Sequence, residues 1–496
     1  MENLSKFISD NLAKLIAPAG HGKTTAIADY LLLCGNGSCQ LVLTHTHAGI
    51  ASLRKKFTHK NVPTDRYQLD TITGFAQKYV LGFCGDKALP DEEAKDYFDE
   101  AVNKCTEILR RPLVQKVITS TYQGIIVDEY QDCTQDQHQM IMALAENLPL
   151  HILGDPLQGI FSFEKKPMVD FNSDLGFFIE HRFLATPWRW ENTNPVLGQS
   201  IYNMRLALER GQIVPLQDNV NGGIRVYHHE NVNEYDQEYL NWLRQLIKFH
   251  ETASTHILMP TYYEKNEYGV NRLRGDVNDR ISLKTQFDFR NEYEILDAID
   301  SSEYYSLAKR ADTFLMKCRQ GSRLKRIQHI FDLVIDMRFT KGSVGKWIKR
   351  TENRLIDRNK FKNESRTLEE LMDAFETRLS MESFYNLIRY LSNLPEMKCY
   401  HWGVKNSFLR SLRYATLQNC TIFEAMKHLK SMIRHQGRKI EGKCIGTTLL
   451  TKGLEFDTVI ILYPERFEDK KNFYVAISRA CKKLVMITQK ESIQLN

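Results

Sequence analysis

Nine consecutive residues near the start of the chain, Ala17-Pro18-Ala19-Gly20-His21-Gly22-Lys23-Thr24-Thr25, are of the types that bind phosphate. Small residues let backbone N–H groups wrap an anion, and the start of a helix adds positive potential. Lys23 supplies a point charge for the β- and γ-phosphates, and the Thr24 hydroxyl suits Mg²⁺. This is a Walker A loop with alanine at its first glycine position. Ile125-Ile126-Val127-Asp128-Glu129 carries a second set of groups. An apolar run there delivers two adjacent carboxylates, Asp128 to hold the metal ion and Glu129 to deprotonate an attacking water. Leu153-Gly154-Asp155-Pro156-Leu157-Gln158 ends in polar groups too. Gln158 is placed to contact the γ-phosphate, although Gly, Pro and Asp by themselves make a good turn.

Elements of two kinds must position these groups. LAKLIA (12–17), QLVLTH (40–45), GIIVDE (124–129) and HILGD (151–155) read as strands. Lys23–Leu33 and a stretch near Ala48–Phe57 read as helices. Strands alternating with helices imply a parallel sheet with both faces covered and its working edge at the strands' carboxyl ends. The pattern returns after about residue 186, with a helix near Asn194–Leu208 and strands at 222–229 and 255–260. It resumes at 443–448, 457–463 and 483–488. Between about 286 and 435 no strand is predicted, only helices rich in Lys, Arg, Tyr and Phe.

The chain has 496 residues, enough for two to four domains. No run approaches the length of a membrane span, and MENLSKFISD lacks a signal peptide's layout, so a cytoplasmic protein without a membrane partner is expected. Ten scattered cysteines without a CxxC pair argue against zinc ribbons and disulfide frameworks. Net charge is +6, yet residues 301–440 hold 28 Lys+Arg against 14 Asp+Glu, a surplus of +14 that leaves −8 elsewhere. That asymmetry suggests a face for a polyanion.

The order of motifs resembles superfamily 1 helicases of the UvrD/Rep type. APAGHGKTT looks like motif I, LTHTHAGIASLRKKF (43–57) like motif Ia and TITGFA (71–76) like motif Ib. VDEYQD (127–132) is close to the family's VDExQD, and GDPLQGIFSF (154–163) is similar to GDxxQSIYxW. TPWRWENTNPVL (186–197) resembles motif IV, TTLLTKGLEFDTVII (447–461) motif V and FYVAISRACKKLVM (473–486) motif VI. The resemblance implies an α/β fold of two RecA-like parallel-sheet P-loop domains with ATP between them. The expected division is a first domain over 1–165 with a small insertion at about 77–119, and a second over 166–285 and 436–496 interrupted by a basic helical insertion at 286–435. It implies that Arg189 and Arg479 act as arginine fingers, that Trp188 stacks on adenine, and that Gly453 and Glu455 line the nucleotide. It also implies DNA contacts at Thr46, His47, Thr73, Phe75, Phe161 and Phe163. Gly159, Phe161 and Phe163 stand where the family carries Ser, Tyr and Trp, and Glu164 stands where it carries an arginine.

The resulting expectation is an ATP- and Mg²⁺-dependent single-stranded DNA translocase or helicase, 3′→5′ by family. The small insertions make it similar to helicase subunits of bacterial antiphage systems such as Gabija, where a separate nuclease acts. Only 17 residues follow Arg479, so a nuclease is expected as a partner rather than as a domain. Two alternatives stand beside it: a DNA-stimulated ATPase that licenses a nuclease without processive unwinding, and a passive nucleic-acid-binding module.

Overall fold

The computed structural model describes residues 2–35, 37–90, 96–160, 166–230, 236–250, 302–436, 442–467 and 469–495. Shorter described pieces lie at 257–261, 263–265, 271–273, 284 and 293–296.

The first half of the chain builds one parallel sheet. In chain order its elements are β1 (Leu12–Ile16), α1 (Lys23–Leu33), β2 (Gln40–Thr44), α2 (His47–His59), β3 (Tyr67–Thr71), α3 (Ile72–Cys84), β4 (Gly124–Val127), β5 (Leu150–Gly154) and β6 (Ile179–His181). The strand order is β3-β2-β4-β5-β1-β6, with every pairing parallel. Strands β2, β4 and β5 are buried along their whole length. That burial explains their unbroken apolar runs: with helices on both faces there is no solvent side to demand alternation. Because β5 lies between β1 and β4, the loop after it sits between the phosphate loop and the paired carboxylates. Sheet order therefore brings Gln158 into line with Lys23 and Glu129.

The second half begins with α4 (Pro195–Glu209) and β7 (Ile224–His228) and continues through β8 (Ile257–Thr261), β9 (Tyr293–Ile295), β10 (Lys443–Thr447), β11 (Phe456–Leu462), α5 (Lys470–Ile477) and β12 (Ala480–Thr488). These strands form a second six-stranded sheet, in the order β9-β10-β8-β11-β12-β7, again all parallel. The fold class is thus α/β, with two six-stranded parallel sheets.

Three boundaries differ from the sequence reading. Strand β6 pairs with β1, so the first domain runs at least to His181 instead of stopping at 165. Strand β9 and a short antiparallel pair, Ile348–Lys349 with Arg354–Leu355, fall inside the stretch read as helical; two or three residues are too few to show a strand period. The 77–119 segment is not a separate body. Tyr79, Val80, Tyr97, Val102, Ile108 and Ile118 are buried in the same core as Leu41, Ile125 and Ile152 of the sheet.

From Ser302 to Gln436 the chain forms a helical block with its own core, in which Phe314, Phe331, Trp347, Phe375, Phe384 and Phe408 are buried. Full burial of side chains of this size contributes about 1.5–3 kcal/mol each, and the cluster gives the block a core distinct from those of the two sheets. Part of its cationic surplus is spent internally. Arg323 pairs with Glu369, Asp373 and Glu376, and Glu396 gathers Lys346, Arg358 and Lys360. Its last helix, Ile422–Gln436, packs against α2 of the first domain. Among the described residues, no helix is long and apolar enough to cross a membrane.

Candidate functional site

The loop between β1 and α1 needs glycine for two reasons. Gly20 (φ 71°) and Gly22 (φ 90°) adopt left-handed backbone that L side chains rarely take. A Cβ on Gly20 would lie 2.8 Å from the Arg189 Cβ and 2.9 Å from the Trp190 ring, and one on Gly22 would lie 3.0 Å from the Trp188 ring. The loop is therefore packed directly beneath residues 188–190. That segment is anchored to the second sheet, because Trp190 Nε1 donates to the Ala480 carbonyl at 2.6 Å. Two further bonds cross the cleft: Arg189 N donates to Gly20 O at 3.1 Å, and Ala19 N donates to the Tyr474 hydroxyl at 2.9 Å. Lys23 starts α1, and its ammonium donates to the carbonyls of Ala17 (2.9 Å) and Pro18 (3.3 Å).

At the end of β4, Asp128 is buried and its Oδ1 accepts from Glu129 N at 3.0 Å. Glu129 has left-handed backbone (φ 57°), which swings its carboxylate off the strand line. A non-glycine residue held there carries strain of order 1–3 kcal/mol and is typical of working sites. Gln131 Nε2 donates to Glu129 Oε2, and Gln131 Oε1 accepts from Asp155 N at 3.0 Å. The two carboxylates titrate apart. Burial, then the charge of Glu129, pushes Asp128 up to about 7. Burial would raise Glu129 as well, but Lys23 and Lys452 outweigh it and hold Glu129 below its ordinary value. Glu129 is thereby kept ionised, as a general base must be.

Gln158 is held at both ends. Its Nε2 donates to Asp155 Oδ2 at 3.0 Å, and its Oε1 accepts from Arg479 Nη2 at 3.2 Å. Arg479 is 1% exposed and also donates to the carbonyls of Val475 (3.0 Å) and Leu454 (3.3 Å). Burial and the neighbouring Arg189 pull its pKa down to about 10, which still leaves it charged at neutral pH. Arg189 donates from Nε to Glu455 Oε1 at 2.9 Å and from Nη1 to Ser478 O at 2.5 Å.

One cavity of about 440 Å³ collects these groups. Its walls include Gly20, Gly22, Lys23, Thr24, Thr25, Asp128, Glu129 and Gln158 of the first domain, and Trp188, Arg189, Gly453, Glu455 and Arg479 of the second. The volume is in the range of small-ligand sites. Ala19 and Thr46 also line it, whereas Ala17, Pro18 and His21 stand behind the loop. Trp188 is 55% exposed and lies against Gly22 at the mouth. Thr24 and Asp128 offer hard oxygen donors on the same wall, a set that suits Mg²⁺ completed by phosphate oxygens and water.

The expected DNA contacts do not gather in the same way. Thr46 is exposed but caps α2, accepting from Gly49 N at 3.0 Å, and His47 behind it is half-buried. Thr73 is half-buried in the first turn of α3. The assignment of Phe75 needs correction: it is 0% exposed, in the core of the first domain, with its ring 4.3 Å from that of Tyr79. No strand can stack on it without unfolding α3. Phe161, Phe163 and Glu164 lie outside the described residues.

Five residues escaped the sequence reading. Asp155 and Arg205 form a buried ion pair at 3.0 Å, Lys452 reaches Asp132, and Tyr474 meets the phosphate loop. Asp132, Asp155, Lys452 and Tyr474 lie inside the motifs already quoted. Nothing local in the sequence shows that 132 and 452 meet.

The UvrD/REP helicase N-terminal domain description matches residues 86–172. A stretch of 69 residues is 39% identical to the Gabija protein GajB of Bacillus cereus (strain VD045), covering 13% of this chain and 14% of that protein's length. Among solved structures, the PRRSV helicase is 16% identical with a TM-score of 0.26, over 54% of this chain and 44% of that one. The arterivirus nonstructural protein 10 helicase, solved in complex with DNA, is 13% identical with a TM-score of 0.26, over 49% and 53%.

Proposed function

We propose that the chain is a UvrD-like helicase that hydrolyses ATP in the cleft between its two domains and uses the resulting motion to move along single-stranded DNA, a reading supported by its local matches to the UvrD/REP N-terminal domain and to Gabija GajB. The observation that carries this reading is the cavity itself. Lys23 and Glu129 from one sheet share it with Arg189 and Arg479 from the other. On this reading Lys23 and the loop amides bind the phosphates, Trp188 covers the base, and Gln158 and Glu129 orient and deprotonate the attacking water. Mg²⁺, held through Thr24 and Asp128, supplies neutralisation of phosphate charge. The two guanidinium groups stabilise the charge that spreads over the equatorial oxygens during transfer. Because they belong to the second domain, hydrolysis depends on how the domains are docked, and a motor needs that dependence.

The track is single-stranded DNA and the direction 3′→5′, both by resemblance. The match to a Gabija protein supports a role in antiphage defence beside a nuclease subunit. The test is the hydrolysis rate with and without single-stranded DNA, followed by strand displacement on 3′- and 5′-tailed duplexes. Glu129→Gln should bind nucleotide and fail to turn it over, whereas Lys23→Ala should lose both. Wild-type turnover by Glu129→Gln would refute the assignment. DNA-stimulated hydrolysis without displacement would favour the licensing role over the motor.

A further inference from the structure

Lys452 lies in the second domain, yet its ammonium is spent on the first. It donates to both carboxylate oxygens of Asp132, at 2.5 Å to Oδ2, and to the main-chain carbonyl of Gln158 at 2.5 Å. Three oxygens of the first domain thus surround a group that carries three donors. The pair is shielded from water, with the Lys452 side chain 8% exposed and that of Asp132 2%. Asp132 ends a short 3-10 turn, Tyr130–Asp132, that begins directly after Glu129. Within that turn Gln131 holds the Glu129 carboxylate with one end of its amide and the Asp155 amide with the other. Lys452 therefore grips, from across the cleft, the turn that orients the base and the backbone of the residue expected to position the water.

The geometry points to Lys452 as a positioning residue for hydrolysis, one that sets Glu129 and Gln158 for attack only while the two domains are docked. The inference rests on the hydrolytic reading above and adds a coupling element to it. Separating the domains strips the ammonium from both the Asp132 carboxylate and the Gln158 carbonyl, so the turn and the backbone after it lose the contacts that fix them from across the cleft. On the reading above Arg189 and Arg479 reach the nucleotide; Lys452, which lines the same cavity, differs in gripping the turn after Glu129 through Asp132.

Lys452→Met, Lys452→Arg, Asp132→Asn and the Lys452→Met/Asp132→Asn double variant test this in the full chain. The measurements are binding of a fluorescent ATP analogue and kcat with saturating single-stranded DNA. A misplaced attacking group costs on the order of 100-fold in rate, so Lys452→Met should lose roughly that much kcat while nucleotide Kd stays within about threefold. Lys452→Arg should recover part of the loss. The double variant should be no slower than Lys452→Met alone, because both changes break one contact. Wild-type kcat in Lys452→Met, a matching loss of nucleotide binding, or strictly additive losses in the double variant would each overturn the proposal. If Lys452→Met fails to fold, Asp132→Asn reads the same contact and must by itself lose kcat without losing binding. Glu129→Gln run in parallel separates the two claims: if it hydrolyses normally the cleft reading fails, and if it is dead while Lys452→Met is normal only this inference fails.

Discussion

The ion pair between Arg205 and Asp155 makes the most direct energetic prediction about how the domains are held together. Arg205 sits on α4 of the second domain and Asp155 follows β5 of the first, with side chains 3% and 0% exposed and an Nη2–Oδ1 distance of 3.0 Å. Asp155 also accepts from Gln158 Nε2 at 3.0 Å and from Leu157 N at 3.3 Å, so it cannot turn to solvent without dismantling the turn that carries Gln158. Arg205→Met keeps most of the side-chain volume and removes the charge. Breaking a buried pair from one side costs about 3–5 kcal/mol, because the remaining charge is left without its partner. Removing both charges in Arg205→Met/Asp155→Asn should cost less than the sum of the single changes. The sign of the pH dependence follows from the same contact. Burial alone would raise the Asp155 pKa, but Arg205 and then Lys23 outweigh it and hold the carboxyl below its ordinary value. A depressed carboxylate contributes stability above its unfolded pKa and loses it as pH falls through the folded value. The gap between wild type and Arg205→Met should therefore be widest near neutrality and close in acid. Denaturant unfolding at a series of pH values measures this. A variant within about 1 kcal/mol of wild type at neutral pH, well under the cost of breaking such a pair, would show that the contact does not lock the cleft.

Trp188→Ala should weaken nucleotide binding by about 0.5–1.5 kcal/mol, the worth of an aromatic stacking contact, with kcat little changed; an unaltered Kd in a nucleotide titration would remove the ring from the base site. Phe75→Ala should cost about 3–5 kcal/mol of stability, as expected for a buried aromatic cut back to Ala, and leave the DNA affinity of the folded fraction intact; weaker DNA binding at unchanged stability would restore Phe75 to the track. His151 is fully buried beside Tyr30, and burial pushes its pKa down to about 4 from the ordinary 6.5. A buried neutral imidazole contributes fully above the unfolded pKa and is lost as pH falls toward the folded one. Stability should thus decline from about pH 6.5 toward pH 4, and His151→Gln should flatten that decline; an equally steep slope in the variant would exclude His151 as a source.

The glycine-bearing loop between β1 and α1, the adjacent Asp128 and Glu129 at the end of β4 and the general α/β character were legible in the residues because each is a local pattern. A strand that is buried on both faces writes its burial as an apolar run, and a loop that must bend through Gly20 and Gly22 writes its backbone as glycine. Helix α1 was predicted over Lys23–Leu33 and is found there, since its start is set by the loop itself. That Arg189 and Arg479 would reach the same cavity as Lys23 was expected only through the motifs around them, and both line it. What tertiary structure alone decided is which side chains meet and which face water. Phe75 sits on an α3 whose aromatic residues look alike in sequence, and only packing shows that it faces the core. Three-residue strands such as β6 and β9 are too short to carry a period, so their sheets had to be seen. Asp132 and Lys452 lie 320 residues apart in the chain, and Arg205 and Asp155 belong to different domains. No local propensity encodes such encounters. They arise when two separately folded sheets bury polar side chains against one another, and each charge then requires a partner the chain can supply only in three dimensions.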